Sequence, residues 1–460
     1  MNSISLRIIK EGSILKKVKK QAVAILGCGT VGGATAKLLT QDIDFLRKRT
    51  GVNFYLKYII DINFNHAKEL NLDNSLFVSN LDDVLADPEV LVVVELVGGT
   101  TFAKKAAIKI LNAKKNLVTA NKALLAKHGV ELFSIARKNK VSICFEATCA
   151  GGIPIIRAIY DGLLANKHDA LYGIVNGTCN YILTEMTLNG VSYKRALKEA
   201  QEKGLAEADP TLDVSGMDSA HKLAILSSIT FGMQIDLDSI TVSGIDKLDQ
   251  FDINSGKELG YIIKLIAMAR HDEGQLSLRV APSFISTEHP LAWVSGPFNA
   301  ISLYSHALGH SMYYGRGAGG SPTASAVVSD IIGLFLGTAE KFFKTLPIWP
   351  DKTKPAALLP SGEGKGRYYL RIVLKNYAGV LAKIAAVFAD YNISISSVIQ
   401  KEITEEMAEE ITESYVPVVI ITHKVREEAL LKAIAKVDTF DFVKGKIVYI
   451  SIMDEHEEIF

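Results

Sequence analysis

Between residue 21 and about residue 150, short runs of β-branched and other apolar residues alternate with stretches whose apolar positions recur every three or four residues. The first kind predicts buried strands and the second amphipathic helices. Their regular exchange is the pattern of a doubly wound parallel α/β sheet. Strands are expected at Ala22–Leu26, Tyr55–Asp61, Val90–Leu96, Asn116–Ala120 and Val141–Ala147, with helices near Ala34–Thr40, Lys104–Lys114 and Ala123–Lys138. After Gly151 and Gly152 the rhythm changes to an α+β texture. Longer strands (Leu276–Ile285, Ala300–His306) mix there with helices near Ser192–Glu202, Asp218–Ser228 and Glu258–Arg270. The glycine-rich stretch from Gly315 to Gly320 opens a further helix, Pro322–Leu336, with Pro322 at a position suited to a helix start.

Leu346–Arg367 holds Pro347, Pro350, Pro355 and Pro360 with Gly362, Gly364 and Gly366, a density of breakers that reads as a linker. Beyond it the order is strand Tyr368–Lys375, helix Gly379–Tyr391, strands Ile393–Lys401 and Tyr415–Thr422, helix Arg426–Val437 and strand Phe442–Ile452. That βαββαβ order predicts a ferredoxin-like unit. The expected organisation is a first unit over 1–150, to which 316–340 returns, a second over 151–345, a linker over 346–366 and a third unit over 367–460.

Composition narrows the classes. The 460 residues suffice for two or three cores, and 51 basic against 50 acidic residues leave a formal charge of +1. No general field therefore recommends nucleic acid or an anionic membrane as partner. The basic patch Lys16, Lys17, Lys19, Lys20 reads as a solvated lead-in to the first strand. No apolar run approaches the roughly 18 residues that cross a bilayer, and the first residues lack the order of a signal peptide. Cys28, Cys144, Cys149 and Cys179 have no metal-ligand spacing and are too sparse for a disulfide framework, so a reducing cytoplasm is the expected home.

Two places carry chemistry. Gly27-Cys28-Gly29-Thr30-Val31-Gly32 follows a hydrophobic strand and opens a helix, which is the setting of a Rossmann pyrophosphate turn. Asp61 ends the next strand and is the candidate partner of the adenosine ribose. Its neighbours Ile60, Ile62 and Asn63 include no arginine, which favours NAD over NADP, although Lys57 or Lys68 could still reach a 2′-phosphate. Ligands of such sheets lie at the carboxyl ends of the strands. Arriving there are Gly98-Gly99-Thr100, then Thr119 to Lys122, and the loop from Glu146 to Ile153. Lys122 could polarise a carbonyl at that edge or merely begin a helix. The second place is Gly204–Ser228, where Glu207, Asp209, Asp213 and Asp218 precede an apolar helix and Asp218 and Lys222 share one helix face. A carboxylate beside an ammonium suits proton transfer, although an ordinary surface ion pair has the same spacing.

With GCGTVGG, VVVELVGG, VTANKALLA, FEATCAGGIPI, NGTCNYIL, GLAEADPTLDVSGMDSAHKLAIL and GRGAGGSPTASAVVSD in order, the chain resembles the homoserine dehydrogenases that carry a C-terminal ACT domain. The resemblance covers Ala22 to about Ile452 and implies a reversible reduction of L-aspartate 4-semialdehyde to L-homoserine by NAD or NADP, on the route to threonine, methionine and isoleucine. It implies Lys222 as proton donor and acceptor, Lys122 beside nicotinamide and substrate, and Asp218 as the catalytic neighbour. Glu207 would hold the substrate ammonium, with Asp213 and Thr178 shaping the pocket. Gly27, Gly29, Thr30, Val31, Gly32, Asp61, Gly98, Thr100, Lys122 and Gly319 would contact the dinucleotide. Glu146, Cys149, Gly151 and Ile153 match the family's sodium site through main-chain oxygens. The third unit resembles ACT modules in the stretch from Val373 to Ile384, which implies pairing into a dimer or tetramer and an amino-acid effector such as L-threonine. Asn376 and Ala378 depart there from the Asp and Pro that are common. With no kinase segment ahead of it, the monofunctional form is expected. A non-catalytic dinucleotide sensor is the alternative, and the presence of both Lys122 and Lys222 speaks against it.

Overall fold

The computed structural model describes residues 20–272, 274–400 and 415–456. Lys16, Lys17, Lys19 and the expected strand end at Lys401 lie outside the described residues. The first unit is a parallel sheet of six strands: β1 (Gln21–Leu26), β2 (Phe54–Ile60), β3 (Phe77–Val78), β4 (Val90–Glu95), β5 (Asn116–Thr119) and β6 (Ile143–Cys144). They lie in the order β3-β2-β1-β4-β5-β6. Val23, Ile25, Val92 and Val94 are fully buried beneath helices, as strands covered on both faces must be. The order reverses between β1 and β4, which opens the ligand crevice at their carboxyl ends. β6 is shorter than the run Val141–Ala147 suggests, because Glu146–Thr148 winds into a 3₁₀ turn and leads the chain out of the sheet.

Among the described residues the second sheet has eleven strands. Its core run is β7 (His168–Ile174), β8 (Thr241–Val242), β9 (Tyr261–Asp272), β10 (Gln275–Ser286), β11 (Phe298–Ser305) and β12 (Gly309–Arg316). The remaining strands are β13 (Lys365–Lys375), β14 (Ile395–Gln400), β15 (Tyr415–Thr422), β16 (Val425–Arg426) and β17 (Val443–Met453). The last five, with helices Val380–Asp390 and Glu427–Val437, form the expected ferredoxin-like unit. One expectation fails: Glu258–Arg270 is not a helix. The helix Gln250–Glu258 stops at Gly260, whose φ is +81°, and the chain continues as β9, antiparallel to β7 and β10. Ile263, Leu265, Ile266 and Ala267 are buried on both faces of the sheet, so the alternation that marks a half-exposed strand is absent from the sequence.

The two halves of this sheet join through a short parallel pairing of Ser283–Ile285 with Ser451–Met453. Two ion pairs tie the same seam: Arg371 forks the buried Asp252 at 2.8 and 3.0 Å, and the half-buried Arg279 and Glu427 meet at 2.8 Å. Where β10 and β17 part, a cavity of about 520 Å³ opens. The stretch 346–366 is packed along its course. Trp349 is buried against Phe133 and Tyr160, and the Gln234 amide donates to the carbonyls of Pro350 and Thr353.

The helix Gly320–Phe335 packs against helix Thr30–Gln41 and shares a core with β1 and β4, through Val327 and Ile331. It is bent by 80° from the following helix Thr338–Thr345. Among the described residues no single helix is long and apolar enough to cross a membrane.

Candidate active site

The glycine turn has the shape its sequence implies. Gly27 has φ +97°, and a Cβ there would stand 2.9 Å from the carbonyl of Leu96. A Cβ on Gly32 would meet the Gly27 oxygen at 2.0 Å, so the helix can approach β1 only as glycine. A Cβ on Gly29 would meet nothing within 4 Å. That leaves open space at the start of helix Thr30–Gln41, where unpaired amides favour an anion. These features fit a pyrophosphate. Asp61 closes the turn: Oδ2 accepts from the Cys28 amide at 2.6 Å, and Oδ1 accepts from the amides of Ile62 and Asn63 at 2.7 and 3.1 Å. The Gly319–Gly320 segment returns to this place, for a Cβ on Gly320 would lie 3.2 Å from the Thr30 oxygen. Gly98 and Gly99 both have positive φ, and Thr100 precedes the helix Thr101–Asn112.

The buried helix Met217–Phe231 packs against helix Lys122–Lys138, which follows β5. Asp218, in its first turn, is only 4% exposed and takes three partners. Lys222 Nζ donates to its Oδ2 at 2.7 Å, Lys122 Nζ lies 2.9 Å from Oδ1, and Asn176 Nδ2 donates to Oδ2 at 2.8 Å. The pair is therefore not the exposed surface pair that its spacing also allowed. Burial alone would raise the Asp218 carboxyl, but the ammonium groups of Lys222 and Lys122 outweigh it and hold the group well below the usual carboxylate range. For Lys122 burial works downward and Asp218 more than offsets it, so the ammonium is held above the ordinary lysine value. Lys222 also donates to the Val175 carbonyl at 2.6 Å, which leaves one hydrogen of its ammonium for another partner.

Asn176 is the residue that sequence reading missed. Its Oδ1 caps helix Gly177–Asn189 by accepting from the Cys179 amide at 2.8 Å, while Nδ2 bridges Asp218 and Asp213, the latter at 2.7 Å. It lies inside the NGTCNYIL stretch, and an Asn just before a helix was a readable capping signal. Burial, then Asp218, raises the Asp213 carboxyl. Thr178 Oγ1 donates to the Leu205 carbonyl at 2.7 Å and so pins the loop that carries Glu207. Glu207 itself is exposed, and its main-chain oxygen accepts from Gln201; its side chain is not drawn into the lysine cluster.

In the loop Glu146–Ile153 the carboxylate of Glu146 accepts from the amides of Ile156 and Arg157 at 2.9 and 2.8 Å, and its own amide donates to Asp330. The Ile153 carbonyl already accepts from the Ile155 amide. The turn at Ala150 (φ +52°) and Gly151 (φ +28°) passes under the glycine-rich segment, where a Cβ on Gly151 would stand 2.9 Å from the Gly317 oxygen. Among the described residues no cluster of His, Cys, Asp and Glu side chains could hold a metal ion. A cation here would therefore depend on peptide oxygens. Cys149 and Cys179 are fully buried beside the site, and burial pushes the Cys149 thiol up to about 12, which removes the reactive thiolate.

Comparison with known protein families matches three segments of the chain. A model of the homoserine dehydrogenase NAD binding domain matches residues 27–146, a homoserine dehydrogenase model matches 154–332, and an ACT domain model matches 368–439. A homoserine dehydrogenase of Pseudomonas aeruginosa is 40% identical over 438 residues, which span 95% of this chain and 99% of that protein. The crystal structure of a homoserine dehydrogenase from Thiobacillus denitrificans is similar with a TM-score of 0.88 and 38% identity, covering 95% of this chain and 99% of its own. A hyperthermophilic archaeal homoserine dehydrogenase in complex with NADPH is similar with a TM-score of 0.57 and 27% identity, covering 69% of this chain and 98% of its own.

Proposed function

The chain belongs to the homoserine dehydrogenase family, and on that premise we propose that it reduces L-aspartate 4-semialdehyde to L-homoserine, reversibly, with Lys222 as the acid. The observation that carries this reading is the single buried carboxylate of Asp218 facing two ammonium groups, Lys222 at 2.7 Å and Lys122 at 2.9 Å, with Lys122 opening the helix after β5 at the same end of the sheet as the glycine turn. When bound in that cleft, the nicotinamide supplies a hydride to the aldehyde carbon or takes it back from the alcohol. Lys222 gives a proton to the substrate oxygen in reduction and accepts it in oxidation, so atoms and charge balance in both directions. Lys122 sets positive charge where the alkoxide grows, and because it is already paired with Asp218 it needs no reorganisation to do so. Asp218 fixes both heads, and Asn176 holds Asp218 in turn. Glu207 and Asp213 offer carboxylates for the substrate ammonium, in a loop anchored by Thr178.

The product fits a place in threonine, methionine and isoleucine synthesis. NAD is favoured over NADP, because the Asp61 carboxylate stands where a 2′-phosphate would bring further negative charge. A monovalent cation such as sodium suits the turn at Glu146, Cys149, Gly151 and Ile153 through main-chain oxygens alone. In the ACT unit, the exposed turn Asn376–Gly379 is the place for an amino-acid effector such as L-threonine, and the unit suits pairing into a dimer or tetramer. Four buried thiols are at home in the cytoplasm.

The deciding assay follows dinucleotide absorbance with L-aspartate 4-semialdehyde, each reduced cofactor in turn, with and without L-threonine. Turnover with NADH above NADPH and inhibition by threonine that is lost in Asn376→Ala are expected. Absence of turnover with either cofactor would defeat the reading.

A further inference from the structure

Glu95 ends β4 and is 0% exposed, yet nothing in the chemistry above uses it. It stands in register with Leu26 of β1 on one side and Thr119 of β5 on the other, so the three strands that border the crevice end around its side chain. Its Oε2 accepts from Thr119 Oγ1 at 2.7 Å and its Oε1 from the Val97 amide at 3.1 Å. The side chain of Asn121 and the amide of Gly98 are also directed at it. Burial raises the Glu95 carboxyl above its ordinary value, and these donors work against that by favouring the acceptor-only carboxylate. A buried anion in such a site persists only when it is well supplied with donors.

Those donors belong to the two loops that form the cleft. Val97 and Gly98 lead into the turn with positive φ at Gly98 and Gly99. Thr119 accepts from the Asn121 amide at 3.0 Å, Asn121 Nδ2 donates to the Gly99 carbonyl at 2.7 Å, and Asn121 Oδ1 caps the helix Lys122–Lys138 through the Leu124 amide at 3.0 Å. Lys122 is the first residue of that helix. The bonds therefore run from Glu95 through Thr119 and Asn121 to the lysine that reaches Asp218, and from Asn121 across to the turn at Gly99.

We propose that Glu95 is a positioning residue of the reaction, whose buried carboxylate locks the 97–99 turn to the Asn121 cap, aims Lys122 at Asp218 and keeps a negative charge under the nicotinamide half of the cleft. This rests on the dinucleotide reading of the cleft. A fixed anion in a place poor in water attracts a cation more strongly than a neutral ring. The positively charged oxidised nicotinamide therefore gains more from Glu95 than the reduced form does.

The test compares the full-length enzyme with Glu95→Gln and Thr119→Val. Affinities for oxidised and reduced dinucleotide are measured by calorimetry and by cofactor fluorescence, together with kcat and KM for the semialdehyde. The Gln side chain keeps the shape but turns an NH₂ group toward other donors and removes the charge. The Gln variant is expected to bind oxidised dinucleotide at least tenfold more weakly, to weaken the reduced form several-fold less, and to lose kcat with little change in semialdehyde KM. Thr119→Val keeps the charge and cuts the link to Asn121, so it should lower kcat while leaving the ratio of the two affinities in place. A folded Gln variant with an unchanged affinity ratio and kcat within twofold overturns the proposal. Should the Gln variant fail to fold, a folded Thr119→Val enzyme with unaltered kcat overturns it equally. If the wild-type enzyme itself binds no dinucleotide, the cleft reading fails, a result distinct from both.

Discussion

Lys122, the first residue of a helix in the dinucleotide sheet, places its Nζ 2.9 Å from Oδ1 of Asp218 on a helix of the substrate unit. The two helices pack in one continuous core, with Leu124 and Leu125 of the first beside Ala220 and Leu223 of the second, and the ion pair joins them at its edge through a carboxylate that is 4% exposed. Removing that charge leaves two ammonium groups facing each other with only the more distant Asp213 to offset them. Asp218→Asn is expected to lower stability by about 3–5 kcal/mol, as breaking a buried pair does, and to cut kcat by roughly 100-fold or more, in line with loss of preorganised charge. Denaturant unfolding and steady-state kinetics check the two effects separately.

Lys222→Ala keeps Asp218 paired with Lys122 and keeps the glycine turn untouched. Turnover should fall by roughly three orders of magnitude while dinucleotide affinity stays within a few-fold, the separation expected when a group acts only in the chemical step. Dinucleotide titration alongside kcat reads both. A variant that lost affinity as fully as turnover would place Lys222 in cofactor binding instead.

Direction of reaction should determine the pH profile. Oxidation of homoserine needs position 222 to accept a proton, so its rate is expected to rise as the solution becomes alkaline. Semialdehyde reduction needs the proton in place and should not rise. Neither neighbour confuses the profile, since Lys122 is held above the ordinary lysine value and stays cationic, while Asp218 is held below the carboxylate range and stays anionic. Initial rates in both directions, followed from neutral to alkaline solution, check the point. Coincident profiles would remove Lys222 from the acid–base role.

Cofactor choice should turn on Asp61. Its carboxylate accepts three amide hydrogens of the glycine turn and the following loop, and still carries the charge that opposes a 2′-phosphate. Asp61→Ser is expected to raise the NADP to NAD ratio of kcat/KM about tenfold, equivalent to roughly 1.4 kcal/mol, mostly by weakening NAD. An unchanged ratio would show that specificity is read elsewhere.

Acid sensitivity has a second source, outside the active site. Burial, and then His310, lowers His289 to about 4. Its Nδ1 accepts from the Leu291 amide at 3.1 Å, and protonation would replace that acceptor with a donor. With a free value near 6.5, the unfolded chain binds more protons than the fold between about pH 4 and 6.5. This contribution is therefore whole above pH 6.5 and lost as pH falls toward 4. His289→Asn keeps a capping oxygen and does not titrate, so the dependence of the unfolding midpoint on pH should flatten across that window. A slope equal to that of the unaltered protein would refute the assignment.

Deleting the ACT unit is a poor test of regulation. Removing residues 360–460 would leave Asp252 buried without Arg371, strip Arg279 of Glu427 and bare the β10 edge that pairs with β17. A dead truncation would report damage to the sheet, which is why the point change at Asn376 is preferred.

Residue order by itself determined the alternation of strand and helix in the first unit, the glycine turn, the ferredoxin-like ending and the helical spacing of Asp218 and Lys222. Each depends on neighbours a few positions apart, where backbone preference and side-chain period act directly. Tertiary structure alone decided that Asp218 is buried, that Lys122 reaches it from a distant helix and that Asn176 links it to Asp213. It also made a strand of Tyr261–Asp272, whose burial on both faces erased the alternating signal. Glu95 belongs with these. In sequence it is a charge interrupting an apolar run, and its donors come from neighbouring strand ends that only the closed sheet brings together.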